Sequence, residues 1–284
     1  MPCFRSKGLP PRQTLFEKAA RRKRKTPGLT LNRGGVILNL YHNRGKNTVI
    51  LTILGVNGPF PAVDGACSGY LLSSDSGNTN LLIDCGSGVL GRLSGVCDLA
   101  KLNAVALTHL HYDHMSDMLP LQYALDFLHV ESLKVICPKT PARARSLLDG
   151  GRLDVYETQD MQIGEMKVEF LPVRHPVEAY AVRVFCDGAK FAFTGDTNVC
   201  DALSLFADGA DLLLADAGLL EADWNKAKPH LTPGLCGLLA RETRAQQLIL
   251  THLSPLYNPE AILEEAETAF PGAKLAQPGM RVRV

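Results

Sequence analysis

The segment Thr108–His114 is the feature that most restricts what this chain can fold into. It reads T-H-L-H-Y-D-H and directly follows an apolar run. An apolar run that ends in ligand-type side chains is typical of a strand whose carboxyl end carries a site. In an extended segment His109 and His111 point to the same side, whereas the adjacent Asp113 and His114 cannot both do so. This spacing suits two metal ions side by side. The alternative is a helix N-terminus with a few polar caps.

Further ligand-type residues occur singly downstream, each at the end of an apolar run. They are His175, Asp196 and His252. A single histidine after a strand is more often structural than metal-binding, but several such coincidences in one chain reverse that expectation. The histidines in or beside these segments are His109, His111, His114, His175, His230 and His252, six of the eight in the chain.

In combination, HxHxDH, a single histidine, G-D-T and T-H resemble the metallo-β-lactamase superfamily of binuclear metallohydrolases. The resemblance runs from about Thr48 to the C-terminus. The ligands that it implies are, for a first metal, His109, His111 and His175; for a second, Asp113, His114 and His252; and, bridging both, Asp196. Imidazole and carboxylate without thiolate suit Zn²⁺, with Mn²⁺ or Fe as alternatives, so we expect two Zn²⁺ per chain. In the family, an aspartate at the position of Asp84 supports the metal site; the alternative for Asp84 is a left-handed turn in which it caps a helix.

Apolar alternation and helical spacing predict the order of elements. The predicted strands are Thr48–Leu54, Ser68–Ser73, Thr79–Cys85, Asn103–Leu107, Leu133–Cys137, Met161–Val173, Tyr180–Cys186, Lys190–Phe193, Asp211–Ala215 and Gln247–Leu250. The predicted helices are Val89–Leu93, Met115–Val130, Thr140–Leu148, Val199–Phe206, Leu231–Arg241 and Pro259–Phe270. Strands followed by strand–helix alternation, twice over, fit an α/β (α+β) fold. We expect a four-layer αββα sandwich of two mixed sheets flanked by helices, which the resemblance also implies.

Charge divides the chain into two parts. Residues 1–47 carry 12 of the 30 Lys and Arg but a single acidic residue, Glu17, and the remainder has 18 basic and 28 acidic residues. We therefore predict a basic, disordered extension over 1–47 and a hydrolase domain over 48–284. The alternatives for the extension are a basic arm that contacts RNA or another anionic partner, and a mitochondrial-type presequence.

The eight cysteines lie scattered through apolar segments without a C-x-x-C pair. This distribution predicts reduced core thiols in a cytoplasmic protein. A thiolate ligand from Cys85 or Cys200 is the alternative. No apolar run reaches about 18 residues, so neither a secretory signal nor a membrane span is expected. Homodimers are common among similar proteins, but no stretch of this chain demands one.

Asp216 and His230 indicate the branch of the superfamily. Asp216 ends an apolar run and His230 opens an H-x-T segment, an order that resembles the tRNase Z-like (ElaC-like) phosphodiesterases. There a glutamate at the position of Asp216 pairs with the histidine. Such a pair can orient a proton donor for a departing alkoxide, which a phosphodiester needs. The alternative makes His230 a helix-entry residue with Thr232 as the cap.

The interval from His175 to Asp196 spans 21 positions. In tRNase Z enzymes a long tRNA-grasping arm lies here, whereas this chain has room for one hairpin. We therefore expect a small or flexible phosphodiester as substrate, such as a cyclic nucleotide or a short RNA. In the implied mechanism, metals bridged by Asp196 lower the pKa of a shared water towards ~7. The resulting hydroxide attacks phosphorus, Asp113 accepts the proton of the water, and His230, oriented by Asp216, protonates the leaving oxygen.

Other functions remain as alternatives. A thioesterase or lactonase of the same fold keeps the same ligands and would not need His230. A β-lactamase is disfavoured because those enzymes generally lack an aspartate at the position of Asp196. A flavodiiron protein is disfavoured because it needs a glutamate where His111 stands. A non-catalytic nucleic-acid-binding scaffold would be expected to have lost ligands.

Overall fold

The computed structural model describes residues 49–284, so every prediction for residues 1–47 lies outside the described part. Strands alternate with helices in the second half of each sheet. The strands are β1 Val49–Gly55, β2 Gly69–Ser74, β3 Asn80–Ile83, β4 Ala104–Ala106, β5 Leu133–Cys137, β6 Leu153–Glu157, β7 Met161–Ile163, β8 Met166–Pro172, β9 Tyr180–Cys186, β10 Ala189–Phe193, β11 Leu212–Asp216, β12 Leu248–Thr251, β13 Lys274–Leu275 and β14 Arg281–Arg283. The helices are α1 Val89–Leu93, α2 Tyr112–Met115, α3 Met118–Phe127, α4 Ala142–Arg145, α5 Ala202–Phe206, α6 Pro233–Glu242 and α7 Pro259–Ala269.

The strands form two mixed sheets of seven, with the same plan in each. The first sheet has the order β14-β1-β2-β3-β4-β5-β6, and the second β13-β12-β11-β10-β9-β8-β7. In the first, β14 to β3 are antiparallel neighbours and β3 to β6 parallel ones. In the second, β7 to β10 are antiparallel and β10 to β13 parallel. Each sheet therefore has a parallel half, whose strands all end at one edge.

The main core lies between the sheets and follows the two-residue alternation of the strands. Leu51 and Leu72 of the first sheet share a buried cluster with Phe191 and Leu214 of the second. The neighbouring Leu71 points the other way, into a second cluster that covers the outer face of the first sheet.

Helices cover both outer faces. Val89 of α1 and Leu121 of α3 are fully buried against the first sheet, and α6 packs on β11 and β12 with α7 beside it. The four layers are helix, sheet, sheet, helix, which confirms the predicted αββα fold. Within the described residues no helix is long and apolar enough to cross a bilayer.

Three local predictions differ from the structure. The predicted strand Met161–Val173 is wrong, because Gly164, at φ 51°, turns the chain back and makes the hairpin β7–β8. A side chain at Gly164 would begin 2.2 Å from the Thr79 hydroxyl, so the turn requires glycine. The predicted helix Met115–Val130 is divided in two at Asp117, whose N–H donates to the Cys85 carbonyl instead of continuing α2. The edge strands β6, β13 and β14 were not predicted.

Candidate metal centre

Strand ends from both sheets bring the predicted site residues together. In the first sheet β4 leads to His109 and His111, and His111 starts α2, which carries Asp113 and His114. In the second sheet the residues that end or follow β8, β10, β11 and β12 are His175, Asp196, Asp216 and His252. The carboxyl ends of parallel strands meet at one edge of a sheet, where ligand sites gather. The structure thus collects all seven predicted metal ligands into one centre.

Three imidazoles converge in what we call the histidine cluster: His109, His111 and His175. Nδ1 of His111 lies 3.0 Å from Nε2 of His109 and 3.1 Å from Nε2 of His175. Burial lowers the pKa of all three, that of His109 well below its ordinary value and that of His175 to about 4. The imidazoles are therefore neutral, the form that binds a metal.

Four side chains form what we call the carboxylate cluster: Asp113, His114, Asp196 and His252. Oδ2 of Asp196 is 3.1 Å from Nε2 of His252 and 3.3 Å from Nε2 of His114. Oδ2 of Asp113 is 3.2 Å from the same His252 nitrogen. Asp196 also lies 3.7 Å from Nε2 of His109, so it stands between the two clusters. This is the position that a bridging ligand requires.

The donor set and its spacing fit metal ions. Two nitrogens on a tetrahedral Zn²⁺ with bonds of about 2.0–2.1 Å stand roughly 3.3 Å apart, close to the separations in the histidine cluster. Nε2 of His114 and Oδ1 of Asp196 are buried and have no hydrogen-bond partner. Buried polar atoms without partners are costly unless a further group satisfies them. A cation between the converging atoms would satisfy Nε2 of His114.

Asp84 holds the carboxylate cluster from behind. Its Oδ2 lies 2.8 Å from Nδ1 of His114, which leaves Nε2 of that ring to face the cluster. The backbone N–H and hydroxyl of Thr108 donate to the same carboxylate at 2.8 and 2.9 Å. Asp84 also adopts φ 57°, which makes the predicted left-handed turn, but its carboxylate caps no helix, since neither α1 nor α2 has a side-chain cap. Thr108 is a contributor that sequence analysis did not single out.

Asp216 and His230 form a buried carboxylate–imidazole pair beside the carboxylate cluster. Oδ2 of Asp216 lies 2.9 Å from Nδ1 of His230, and the carboxylate also accepts the backbone N–H groups of Thr197 and Gly218, each at 3.0 Å. Burial opposes the charged form of His230, but the adjacent Asp216 outweighs it and raises the pKa to about 9. Thr232 does cap α6, as the alternative for His230 supposed. His230 nevertheless faces the centre, with Nδ1 3.9 Å from Asp196.

Asp216 also takes part in a third group of potential ligands, with Asp196, His230 and His252. It shares two of its members with the carboxylate cluster. Because Asp216 already accepts two backbone N–H groups and His230, we assign it to orienting imidazoles rather than to binding an ion. Trp224 holds the backbone of His230, because its indole N–H donates to the His230 carbonyl at 3.1 Å. Sequence analysis did not single out this residue.

Gly58 brings the loop after β1 against the centre. A side chain at Gly58 would begin 2.0 Å from Nε2 of His252, so only glycine permits this approach. No cysteine belongs to any potential ligand group within residues 49–284. Burial raises the pKa of the Cys85 thiol well above its ordinary value, which further disfavours the thiolate alternative there.

Comparison with known proteins gives consistent matches across this region. The family model of a β-lactamase superfamily domain matches residues 79–253. The probable metallo-hydrolase YhfI of Bacillus subtilis (strain 168) is 31% identical over 239 residues, which are 78% of this chain and 94% of YhfI. The crystal structure of YhfI, described as a metallo-β-lactamase fold protein, superposes with a TM-score of 0.79 over 84% of this chain and 100% of that one. Ribonuclease Z of Methanopyrus kandleri is 29% identical over 280 residues, 83% of this chain and 98% of that enzyme.

Proposed function

The chain belongs to the metallo-β-lactamase superfamily of metallo-hydrolases and is related to ribonuclease Z, and on that basis we propose that it is a metal-dependent phosphodiesterase. Its substrate is a small phosphodiester, such as a cyclic nucleotide or a short RNA. The products are a phosphomonoester and an alcohol.

The observation that supports this proposal most is the Asp216–His230 pair beside the carboxylate cluster. Oδ2 of Asp216 lies 2.9 Å from Nδ1 of His230, so Nε2 is the nitrogen that can donate a proton to the substrate. The raised pKa, about 9, keeps the ring protonated near neutral pH. A phosphodiester expels an alkoxide, which departs readily only when it is protonated. The leaving thiol of a thioester makes no such demand.

The chemical step follows from these positions. The oxygen of a water forms a bond to phosphorus while the bond from phosphorus to the leaving oxygen breaks. Asp113, a partly buried member of the carboxylate cluster, takes the proton that the water loses and later releases it to solvent. His230 gives its proton to the leaving oxygen and regains one from solvent.

The seven ligand residues would hold two Zn²⁺, with Mn²⁺ or Fe as alternatives, in the arrangement that the two clusters describe. Metal ions there would lower the pKa of the attacking water and offset the negative charge of the phosphate oxygens. The role of the protein is to position neutral imidazoles and carboxylates for them, and to place His230 on the leaving-group side.

The interval between His175 and Asp196 supports a small substrate. The structure describes this whole interval, and it consists of the hairpin β9–β10 with short connections. Asp187 and Gly188, at φ 51° and 86°, make the tight turn of that hairpin, as their sequence predicts. Within the described residues, this interval therefore provides no long arm that could grip a large RNA.

The decisive experiment compares substrates and one variant. Protein loaded with Zn²⁺ or Mn²⁺ is assayed with a chromogenic aryl phosphodiester, a cyclic nucleotide, a thioester and a lactone. We expect turnover of both diesters. His230→Ala should lower the rate on the cyclic nucleotide by about 10²–10⁴-fold, the usual contribution of a general acid, and the rate on the aryl ester by less.

His129→Asn is the matched control, since His129 is exposed, remote from the centre and in a left-handed conformation that asparagine tolerates. It should behave as the unaltered protein does. Ester or lactone turnover that is indifferent to His230, without diester hydrolysis, would move the protein to the thioesterase and lactonase class. Absence of bound metal would favour the scaffold alternative instead.

We also propose a two-part organisation of the chain and a cellular compartment for it. Residues 48–284 form the hydrolase unit, and residues 1–47 are a basic extension that can meet an anionic partner. The seven cysteines among the described residues are free thiols, which supports action in a reducing compartment such as the cytoplasm.

A further inference from the structure

A cavity of about 290 Å³ opens directly beside the histidine cluster. Its volume is at the lower end of the ~300–1,000 Å³ typical of small-molecule sites. Its lining residues are Leu110, His111, Tyr112, Pro141, Arg143 and Ala144. None of them is acidic, and only His111 belongs to the metal ligands proposed above. The cavity is thus a separate compartment that shares one wall with the centre.

The walls of the cavity differ in chemistry. Leu110 and Ala144 are buried and, with Pro141, provide an apolar surface. The Tyr112 side chain is 64% exposed although it lies between two proposed ligands. The Arg143 guanidinium has no carboxylate partner within residues 49–284. An exposed aromatic ring and an unpaired guanidinium beside apolar surface are the groups on which a planar, electron-rich ring stacks.

The segment that carries Pro141 and Arg143 is held in place from the second sheet. Glu178 accepts the backbone N–H and the hydroxyl of Thr140, both at 2.9 Å. The same carboxylate accepts the hydroxyl of Tyr180 at 2.8 Å. Glu178 lies just after His175, so one side chain ties the wall of the cavity to the connection that carries a metal ligand.

We propose that this cavity binds the nucleobase of a nucleotide phosphodiester, stacked against Tyr112 and Arg143, while the phosphate lies at the centre. The assignment rests on the proposed phosphodiesterase function and narrows its substrate class to diesters that carry a nucleoside. His111 lines the cavity and also belongs to the histidine cluster, so it sets the distance between the bound base and the phosphate. The selectivity of the enzyme then comes from a residue inside the HxHxDH motif that binds no metal.

The test uses two substrates with the same leaving group. One is the p-nitrophenyl ester of thymidine 5′-monophosphate, and the other is methyl p-nitrophenyl phosphate, which has no base. The unaltered protein should prefer the nucleoside ester in kcat/KM. Tyr112→Ala should reduce that preference by roughly 5- to 150-fold, the range that loss of one base–aromatic stack gives. Arg143→Met, which keeps an unbranched apolar stem but removes the guanidinium, should reduce it less.

Three controls separate the cavity from the metal centre. Tyr112→Phe keeps the ring and should keep the preference. Tyr123→Ala removes an exposed tyrosine on α3 that does not line the cavity, and both esters should be hydrolysed as by the unaltered protein. The metal content of each variant is measured, because Tyr112 adjoins His111. The Kd of thymidine monophosphate, measured by calorimetry, gives a readout that does not depend on turnover.

The outcomes distinguish the two proposals. If both esters are hydrolysed but Tyr112→Ala leaves their ratio unchanged at normal metal content, the nucleobase assignment is wrong and the phosphodiesterase stands. If the unaltered protein hydrolyses neither ester but binds the nucleotide in a Tyr112-dependent way, the nucleobase assignment is supported and the phosphodiesterase proposal is wrong. Preference for an apolar thioester that Tyr112→Ala abolishes would overturn both and assign the cavity to an acyl group.

Discussion

The histidine cluster and the carboxylate cluster differ in the groups that contact the outward nitrogens of their imidazoles. In the histidine cluster, the outward ring nitrogens of His109 and His175 meet neutral oxygens. Nδ1 of His109 is 3.1 Å from the Thr108 hydroxyl, and Nδ1 of His175 is 3.4 Å from the Pro229 carbonyl. His111 and His175 are also only half-buried.

In the carboxylate cluster, one of the two imidazoles is held by a carboxylate. Nδ1 of His114 lies 2.8 Å from Asp84, whereas Nδ1 of His252, 3.6 Å from Asp216, is buried and makes no hydrogen bond. A carboxylate behind an imidazole fixes the ring and makes its other nitrogen a stronger ligand. This cluster also contains two carboxylates of its own. The two neighbouring metal positions therefore differ in their surroundings, and we expect the carboxylate cluster to bind its ion more tightly.

The largest effect is expected for His111→Ala, which tests the difference in metal affinity between the two clusters. Loss of this ligand should release the metal of the histidine cluster, leave the other metal bound and lower diester turnover by at least about a hundredfold, more than loss of a supporting residue costs. Elemental analysis after dialysis should find one equivalent where the unaltered protein has two. His129→Asn is again the control, and simultaneous loss of both metals would contradict the unequal affinities.

A more selective test is Asp84→Asn. Asparagine tolerates the left-handed backbone at this position, φ 57°, so the change removes the charge behind His114 with little effect on the turn. The affinity of the carboxylate cluster for metal should fall by about 10–100-fold, and that of the histidine cluster should change little. Competition with a chelator measures both. Equal weakening of the two positions would mean that Asp84 acts on the fold rather than through His114.

The smallest effect is expected for Asp216→Asn, which removes charge from behind His230. Asp216 raises the pKa of His230 to about 9, so without it that pKa falls towards the ordinary value of about 6.5. His230 donates a proton only when protonated. The rate on a cyclic nucleotide should therefore decline at lower pH than in the unaltered protein, with a loss of about tenfold above neutrality and little near pH 6. A uniform loss at all pH values would indicate a merely structural role.

The architecture could be predicted from the sequence where packing imposes a clear period. Strands buried on both faces, such as Leu212–Asp216, form short apolar runs bounded by turn residues, and the spacing of these runs between helical patterns identifies them. The edge strand Arg281–Arg283 could not be recognised, because it is held by main-chain pairing to β1 while its arginines are exposed. The hairpin at Gly164 was missed because the apolar pattern continues on both sides of one glycine.

The metal centre could be found because its ligands are uncommon residues at strand ends. Among the residues around the ligands, Asp84, Asp216 and His230 could be named from the resemblance to the family, whereas the residues that hold them in place could not be found. The contact of Thr108 with Asp84 joins residues 24 positions apart, and the indole of Trp224 acts on a backbone carbonyl. Tyr112 and Arg143 are ordinary surface types, and only the fold brings their segments to one cavity. Sequence spacing reveals residues that act as a set, whereas single supporting residues depend on long-range packing.

The origin of the ligands in both sheets has a consequence for folding. Asp113 and His252 meet although they are 139 positions apart, and ordering so long a loop comes late because its entropy is lost before its contacts form. A complete metal centre can therefore assemble only after the two sheets have docked. Any ion that binds the folded chain alone adds to its stability, by about 2.7 kcal/mol at a hundredfold excess over Kd. The metal supply of the cell would then help set how much of this protein persists folded, quite apart from how fast it turns over substrate.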